Sequence, residues 1–236
     1  MDTRIYIIAH KPFDAPNVEG YIPLQVGREG NPELGYLCDN TGEHISGKNS
    51  SYCELTGLYW MWKNVSCDII GLVHYRRYFV MPGVECIQKG DLENSVITVP
   101  YIEEQFENYD VLSYMSGAVE EENNISQYDK YHHLQDLLIC GDVIKEKYPN
   151  DYAAFVWMLE SRLFTSCNMF VMRKSLMDEY CEWLFDILFE VEKRIDMKDY
   201  NSYQKRVFGF LAERLFKVWM LNRPVRVHEE NVMMVE

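Results

Sequence analysis

A chain of 236 residues, 47% hydrophobic and 25% charged, is long enough to bury a sizeable core and too ordinary in composition for a disordered or fibrous protein. Its 37 acidic residues against 23 Lys and Arg give a formal charge of −14, which opposes general affinity for nucleic acid or for an anionic membrane surface. Seven scattered cysteines with no C-x-x-C pair fit neither a disulfide framework nor a zinc knuckle, and no run of ~18 apolar residues suggests a membrane span.

Arg4 to His10 is a β-branched run ending at Lys11-Pro12, and it predicts a buried first strand. That strand delivers His10 and Lys11 to the sheet end where open α/β folds collect ligands. Between Phe13 and Ser50, six glycines and three prolines predict a long loop region without regular structure. Asp39, Ser46, Lys48, Asn49 and Glu54 place short hydrogen-bonding groups there, suited to reading sugar and base hydroxyls, although ordinary turns share this composition. Leu55, Leu58, Tyr59 and Trp62 at helical spacing predict a helix from Glu54 to Trp62.

Asp68 to Val73 predicts a central strand running into His74-Tyr75-Arg76-Arg77-Tyr78-Phe79. If the strand continues, His74 and Arg76 face one side and Tyr75 and Arg77 the other. Two guanidiniums and an imidazole at a sheet's ligand end can neutralise a diphosphate. Ion pairs with some of the acids are the structural alternative, and an RNA platform of interleaved aromatic and basic residues is a third reading, opposed by the net charge.

From Gly90 to Asp129 there are ten acids and no Lys or Arg, which leaves only −4 for the rest of the chain. Such a stretch reads as a solvated acidic face or a mobile loop, with short strands at Ser95 to Val99 and Asp110 to Met115. Gln127 to Lys147 predicts one helix, on which Asp129, His132, His133 and Asp136 share a face. That face could hold a divalent metal or a His with a carboxylate partner as general base, or it is a solvated polar surface. Thr165 to Met172 predicts a strand. Ser175 to Arg194 predicts a helix with Ser175 as N-cap and Asp178 at N3, and a second long helix follows over about Ser202 to Leu221. On the latter, Arg206 and Glu213 share a face, either as a buried ion pair or as part of a site.

Lys48-Asn49-x-x-Tyr52-x-Glu54-Leu55-Thr56-Gly57-Leu58-Tyr59-Trp60, Gly71-Leu72-x-His74-Tyr75-Arg76-Arg77-Tyr78-Phe79, Asn168-Met169-Phe170-Val171-Met172 and Gly209-Phe210-Leu211-Ala212-Glu213-Arg214-Leu215 resemble a bacterial domain of capsule, exopolysaccharide and O-antigen loci. That family, marked by the HYRRYF motif, was formerly a domain of unknown function. It is now regarded as glycosyltransferase, with some members linked to galactofuranose transfer. The resemblance implies a GT-A-like, Rossmann-type α/β fold, a single glycosyltransferase domain over residues 1–236 with long C-terminal helices.

GT-A enzymes commonly place Asp-x-Asp after a buried strand to hold a divalent cation, and this chain has no Asp-x-Asp; Asp91-x-Glu93 comes nearest, without a strand leading into it. His74 and Arg76 stand where the acids would be, so a metal-independent mechanism is preferred, with a divalent cation as the alternative. The function so implied is transfer of a hexosyl residue, with galactofuranosyl as the candidate, from a UDP-sugar to a growing, lipid-linked glycan. The setting would be cytoplasmic, with at most peripheral contact at the inner face of the membrane. His10, Lys11, Asp39, Asn49, His74, Arg76 and Arg77 would bind the donor. An imidazolium at His74 would assist the leaving group, so the rate would fall as pH rises through roughly 6 to 7.5. His133 with Asp136 is the leading candidate for base or acceptor binding, and Glu213 is the runner-up. A non-catalytic nucleotide or glycan binding module, and a metal-dependent hydrolase of activated sugars working from the Asp129 to Asp136 face, are the alternatives.

Overall fold

A computed structural model describes residues 1–88 and 90–235. The first half contains β1 (Thr3–Ala9), β2 (Tyr21–Gln25), β3 (Leu37–Cys38), α1 (Asn49–Tyr52), α2 (Leu55–Asn64), β4 (Ile69–His74), β5 (Arg77–Phe79), α3 (Leu92–Ser95), α4 (Val99–Gln105) and β6 (Val111–Tyr114). Then follow β7 (Gly117–Ala118), α5 (Asn124–Tyr131), α6 (Leu134–Lys147), α7 (Tyr152–Glu160), β8 (Leu163–Phe164), β9 (Phe170–Arg173), α8 (Lys174–Arg194), α9 (Val207–Leu221), β10 (Val227–Glu230) and β11 (Val232–Met234). The main sheet runs β3-β2-β1-β4-β9-β6-β10, parallel except that β9 is antiparallel to both β4 and β6.

Strand alternation sorts the apolar residues into two cores. On β1, Ile5 and Ile7 enter one core and Tyr6 and Ile8 the other; β4 repeats this with Ile69 and Val73 against Ile70 and Leu72. A near-continuous apolar run is what a strand covered on both faces requires. Helices α2 and α5 to α9 cover one face, while β5, α3 and α4 contribute to the other. Gly57 lets α2 lie close to the sheet: a Cβ there would stand 2.6 Å from Ile8 Cδ1 and 2.8 Å from Val26 Cγ1. Among the described residues, no helix is long and apolar enough to cross a membrane.

The α/β class agrees with the expectation, and so do β1, β4, β6, α2, α8 and the body of α9; several local expectations do not, among them the strand from Thr165, which begins only at Phe170 after a turn at Cys167-Asn168. The glycine-rich region after β1 contains β2, which lies beside β1 with Pro23 opposite Ile7. β3 pairs only with Leu24 and Gln25, so the missing N–H of Pro23 interrupts no ladder on that side. The acidic stretch is not a mobile loop: it includes α3, α4 and β6, with its acids exposed or half-buried as a solvated face. β6 matches the strand expected at Asp110 to Met115, while instead of a strand at Ser95 to Val99 there is only an isolated bridge at Val96. Arg226 accounts for part of its charge, holding Asp110 at 2.9 Å and pulling that carboxyl down to about 2. In α8 the N-cap is Arg173 without a side-chain bond, and Asp178 pairs with Lys174 instead of with a capping serine. Finally, the helix expected from Gln127 to Lys147 is two helices. His132, at φ −138° and ψ −177°, and His133, at φ −87° and ψ 104°, are extended and separate α5 from α6.

Candidate active site

β1 and β4 are parallel neighbours, with Ile8 opposite His74, so both chains leave the sheet at the same end. β4 does not run on through the arginines. It turns at Tyr75-Arg76 and returns as β5, with Arg77 directly opposite His74. The hairpin overturns the alternation expected from a continuous strand, because the turn projects Tyr75 and Arg76 at the sheet's end. A cleft of about 800 Å³ opens there, bounded by the β4–β5 turn, the end of β1, α1, the segment before β9 and the start of α9. Its size suits a nucleotide or similar ligand.

One wall is cationic. Arg76 and Arg77 are exposed, and neither side chain forms an ion pair or hydrogen bond with another described residue. Arg206 stands nearby, with Nε 3.4 Å from Cys53 Sγ and its guanidinium 5.4 Å from the Phe210 ring centre. Guanidiniums left open at a cleft are available for an anionic ligand.

The floor is built from main chain and carboxylates. Cys167 N–H donates to Glu213 Oε1 at 2.7 Å, and Cys167 O lies 2.6 Å from His74 Nε2. A carbonyl only accepts, so Nε2 carries the proton and the neutral ring leaves its lone pair on Nδ1. Burial lowers the His74 pKa from its ordinary 6.5, with Glu54 opposing the shift. Burial thus favours the neutral ring, against the imidazolium expected from the sequence. Burial also raises the Glu213 carboxyl, against the pull of Arg214, whose Nη1 is 3.1 Å from Glu213 Oε2. Arg214 is 2% exposed and is held by Gln127 Oε1 at 2.6 Å and the Phe164 ring at 4.3 Å. Glu54 accepts from Asn168 Nδ2 at 2.6 Å, and the same amide donates to Gly209 O at 3.1 Å.

Cys53, Cys167 and Asn168 have φ of 50°, 79° and 49°, and among the described residues no other non-glycine has positive φ. Cys53 and Cys167 line the cleft and Asn168 holds Glu54, so all the left-handed strain gathers at one place. Such conformations cost about 1–3 kcal/mol each and persist where the surroundings enforce them. Thiolate chemistry is disfavoured here, since burial pushes Cys53 up to about 11 and raises Cys167 as well.

Of the residues singled out from sequence, His10, Asn49, His74, Arg76, Arg77 and Glu213 line this cleft. Asn49 spends its amide on Cys53 O and Thr56 Oγ1, so it shapes the wall. Lys11 lines an adjoining cavity. Asp39 is fully buried away from the cleft, accepting from Gly27 N, Arg28 N, Ser46 Oγ and Thr56 Oγ1, and it ties the loop together instead of meeting a donor. His133 and Asp136 are not among the cleft residues: Asp136 accepts from Tyr200 Oη at 2.8 and 2.9 Å, and His133 stacks on the Tyr200 ring at 4.2 Å. The break between α5 and α6 also removes the shared face with Asp129 and His132. His132 packs at 4.0 Å on Phe210, its pKa lowered to about 4 by burial. Among the described residues, no three His, Cys, Asp or Glu side chains gather to hold one metal ion.

Cys53, Cys167 and Asn168 are absent from the sequence-based site because nothing in their identity announces a left-handed backbone. Glu54 and Arg206 line the cleft as well; Glu54 carried only the weak signal of the loop group, and Arg206 that of a helix face shared with Glu213, which pairs instead with Arg214.

Comparison with known proteins adds two findings. No curated protein matches the chain. A solved structure described as a WbbM bifunctional glycosyltransferase in its apo form superposes with a TM-score of 0.94 at 31% identity, over 100% of this chain. The chain spans only 46% of that protein's length. Residues 4–224 match the family model described as Domain of unknown function (DUF4422), so the chain belongs to the DUF4422 family.

Proposed function

We propose that this domain is a glycosyltransferase that moves a hexosyl residue, with galactofuranosyl as the candidate, from a UDP-sugar to a growing lipid-linked capsular, exopolysaccharide or O-antigen glycan. The observation that carries the reading is that Arg76, Arg77 and Arg206 line one cleft together with Glu213, Glu54 and His74. A group transfer from a diphosphate needs both kinds of group, cations for the leaving group and a proton acceptor for the attacking hydroxyl. Likeness in fold to a protein named as a bifunctional glycosyltransferase supports it.

The donor diphosphate lies against Arg76 and Arg77, and the sugar's anomeric carbon points toward the floor. An acceptor hydroxyl attacks that carbon as the bond to the diphosphate breaks, through an oxocarbenium-like transition state. Glu213 takes the hydroxyl proton, and its raised pKa makes it a better base than an ordinary carboxylate. His74 accepts a hydrogen bond at Nδ1 and orients a hydroxyl of one substrate. The guanidiniums stabilise the departing UDP without a metal ion. The work is done on the cytoplasmic side, with contact to the membrane only through the lipid-linked acceptor.

Purified protein incubated with a panel of UDP-sugars and glycan fragments, with and without EDTA, tests the reading. Transfer that persists in EDTA is expected. Activity abolished by the chelator and restored by Mn²⁺ or Mg²⁺ overturns metal independence, and nucleotide binding without turnover on any donor points to a binding module.

A further inference from the structure

A second cavity, of about 560 Å³, adjoins the cleft. It is lined by Lys11, Phe13 and Asp14 after β1, by Tyr75 and Arg76 of the β4–β5 turn, and by Leu92. Tyr75 and Arg76 line both cavities, while three other sizeable cavities share no lining residue with the cleft. The two spaces thus meet across one wall, the turn between β4 and β5.

The chemistry of the second cavity differs from that of the first. Phe13 and Tyr75 are half-buried rings with centres 5.9 Å apart, tilted by 60°, which makes an apolar corner. The ammonium of Lys11 lies 5.5 Å from the Tyr75 ring centre. Asp14 is exposed and pairs with no cation among the described residues, so its carboxylate is open to hydroxyl donors. Apolar ring faces for C–H groups, a carboxylate to accept from hydroxyls and cations to donate to them make a lining suited to a sugar ring. With Asp14 offsetting one of its two cations, this space is the poorer match for a diphosphate.

We propose that this cavity binds the sugar ring at the accepting end of the glycan, so that transfer takes place across the Tyr75–Arg76 wall. The proposal rests on the glycosyltransferase reading and extends it. Two substrates can react only when their reacting atoms come within about 3–3.5 Å, and a shared wall is where separate cavities permit that approach.

The test uses Asp14→Ala and Phe13→Leu in the full chain, with glycan fragments as acceptor and UDP as nucleotide probe. Both variants should raise the acceptor KM by about tenfold or more, while UDP affinity by calorimetry stays within about twofold of the parent. Saturation-transfer NMR of the same fragments on UDP-loaded protein should show binding that both variants lose. That readout decides the cavity even if no donor turns over, so failure of the activity assay alone counts against the transferase reading and not against the subsite. Unchanged acceptor KM and unchanged fragment binding in both variants overturn the proposal. Loss of UDP affinity instead assigns the cavity to the donor nucleotide and overturns it equally.

Discussion

Arg76, in the β4–β5 turn, and Arg77, at the start of β5, have side chains with no described partner, whereas Asp136, His132 and His133, at the junction of α5 and α6, are packed against other side chains. Asp136 holds Tyr200 by both oxygens, His133 stacks on the same tyrosine, and His132 lies on Phe210. Both regions are dense in ionisable groups, and by sequence alone the helix junction is the richer of the two. What separates them is place: the arginines stand open at a cleft that Glu213 also lines, whereas the junction residues pack on Tyr200 and Phe210 outside it, even though His132 Nδ1 is buried without a hydrogen-bond partner. Cations left open at a cleft are available to a ligand, and groups packed among neighbours stabilise the fold.

Substitutions on the two sides should therefore behave oppositely. Glu213→Gln keeps the shape and an acceptor for Cys167 N–H but loses the base and leaves the buried Arg214 guanidinium without its counter-charge, so turnover, read on protein verified as folded, should fall by about 10²–10⁴-fold and stability by about 3–5 kcal/mol. Normal turnover in that variant would return the role of base to Glu54 or His74. Arg76→Ala should cost about 2–4 kcal/mol of transition-state stabilisation while leaving the melt nearly unchanged, because the side chain is exposed. A variant that unfolds instead would show Arg76 to be structural.

The buried partner of the base gives a sharper contrast. Arg214 pulls the Glu213 carboxyl down against the upward push of burial. Protonated Glu213 cannot accept a proton, so the acid limb of the rate profile marks its pKa. Arg214→Met should move that limb to higher pH, and breaking the buried pair should also cost about 3–5 kcal/mol of stability. A pH–rate profile on protein verified as folded checks the direction, and an unmoved limb would take Glu213 out of the proton transfer.

The smallest effect belongs to the other region. Asp136→Asn should leave turnover within about twofold, since Tyr200 Oη can still donate to the amide oxygen. Burial raises the Asp136 pKa above its ordinary 3.8, so its stabilising contribution is full below that value and is lost as pH rises through the folded-state pKa. The substitution should flatten the melting temperature against pH just above 3.8. A large loss of turnover would restore Asp136 as a site residue.

β1, β4 and α8 were legible in the sequence because burial on both sheet faces, or on one helix face, writes a pattern many residues long. The features that shape the site were not, because each rests on one or two residues. The turn at Tyr75-Arg76 carries no glycine, asparagine or proline to mark it, and the extended pair His132-His133 interrupts a helical pattern without a breaker. β2 was hidden by Pro23, which is tolerated only because β3 is too short to reach it. Glu213 and the arginines could be placed near a site from type and position, but which groups lacked partners is a property of packing.

The residue that holds Glu213 with its amide and His74 with its carbonyl does both through main chain. One peptide template thus sets the spacing between proton acceptor and imidazole, and the chemical identity of the side chain at 167 is left free. Cys167→Gly would keep both hydrogen bonds and relieve the left-handed strain at φ 79°. It would also widen the range of positions that the template visits, so the variant is expected to gain in folding and lose in the precision with which its two attached groups are held. The strain at this cysteine is in that sense a locating pin, whose stiffness is transmitted to chemistry that its own sulfur takes no part in.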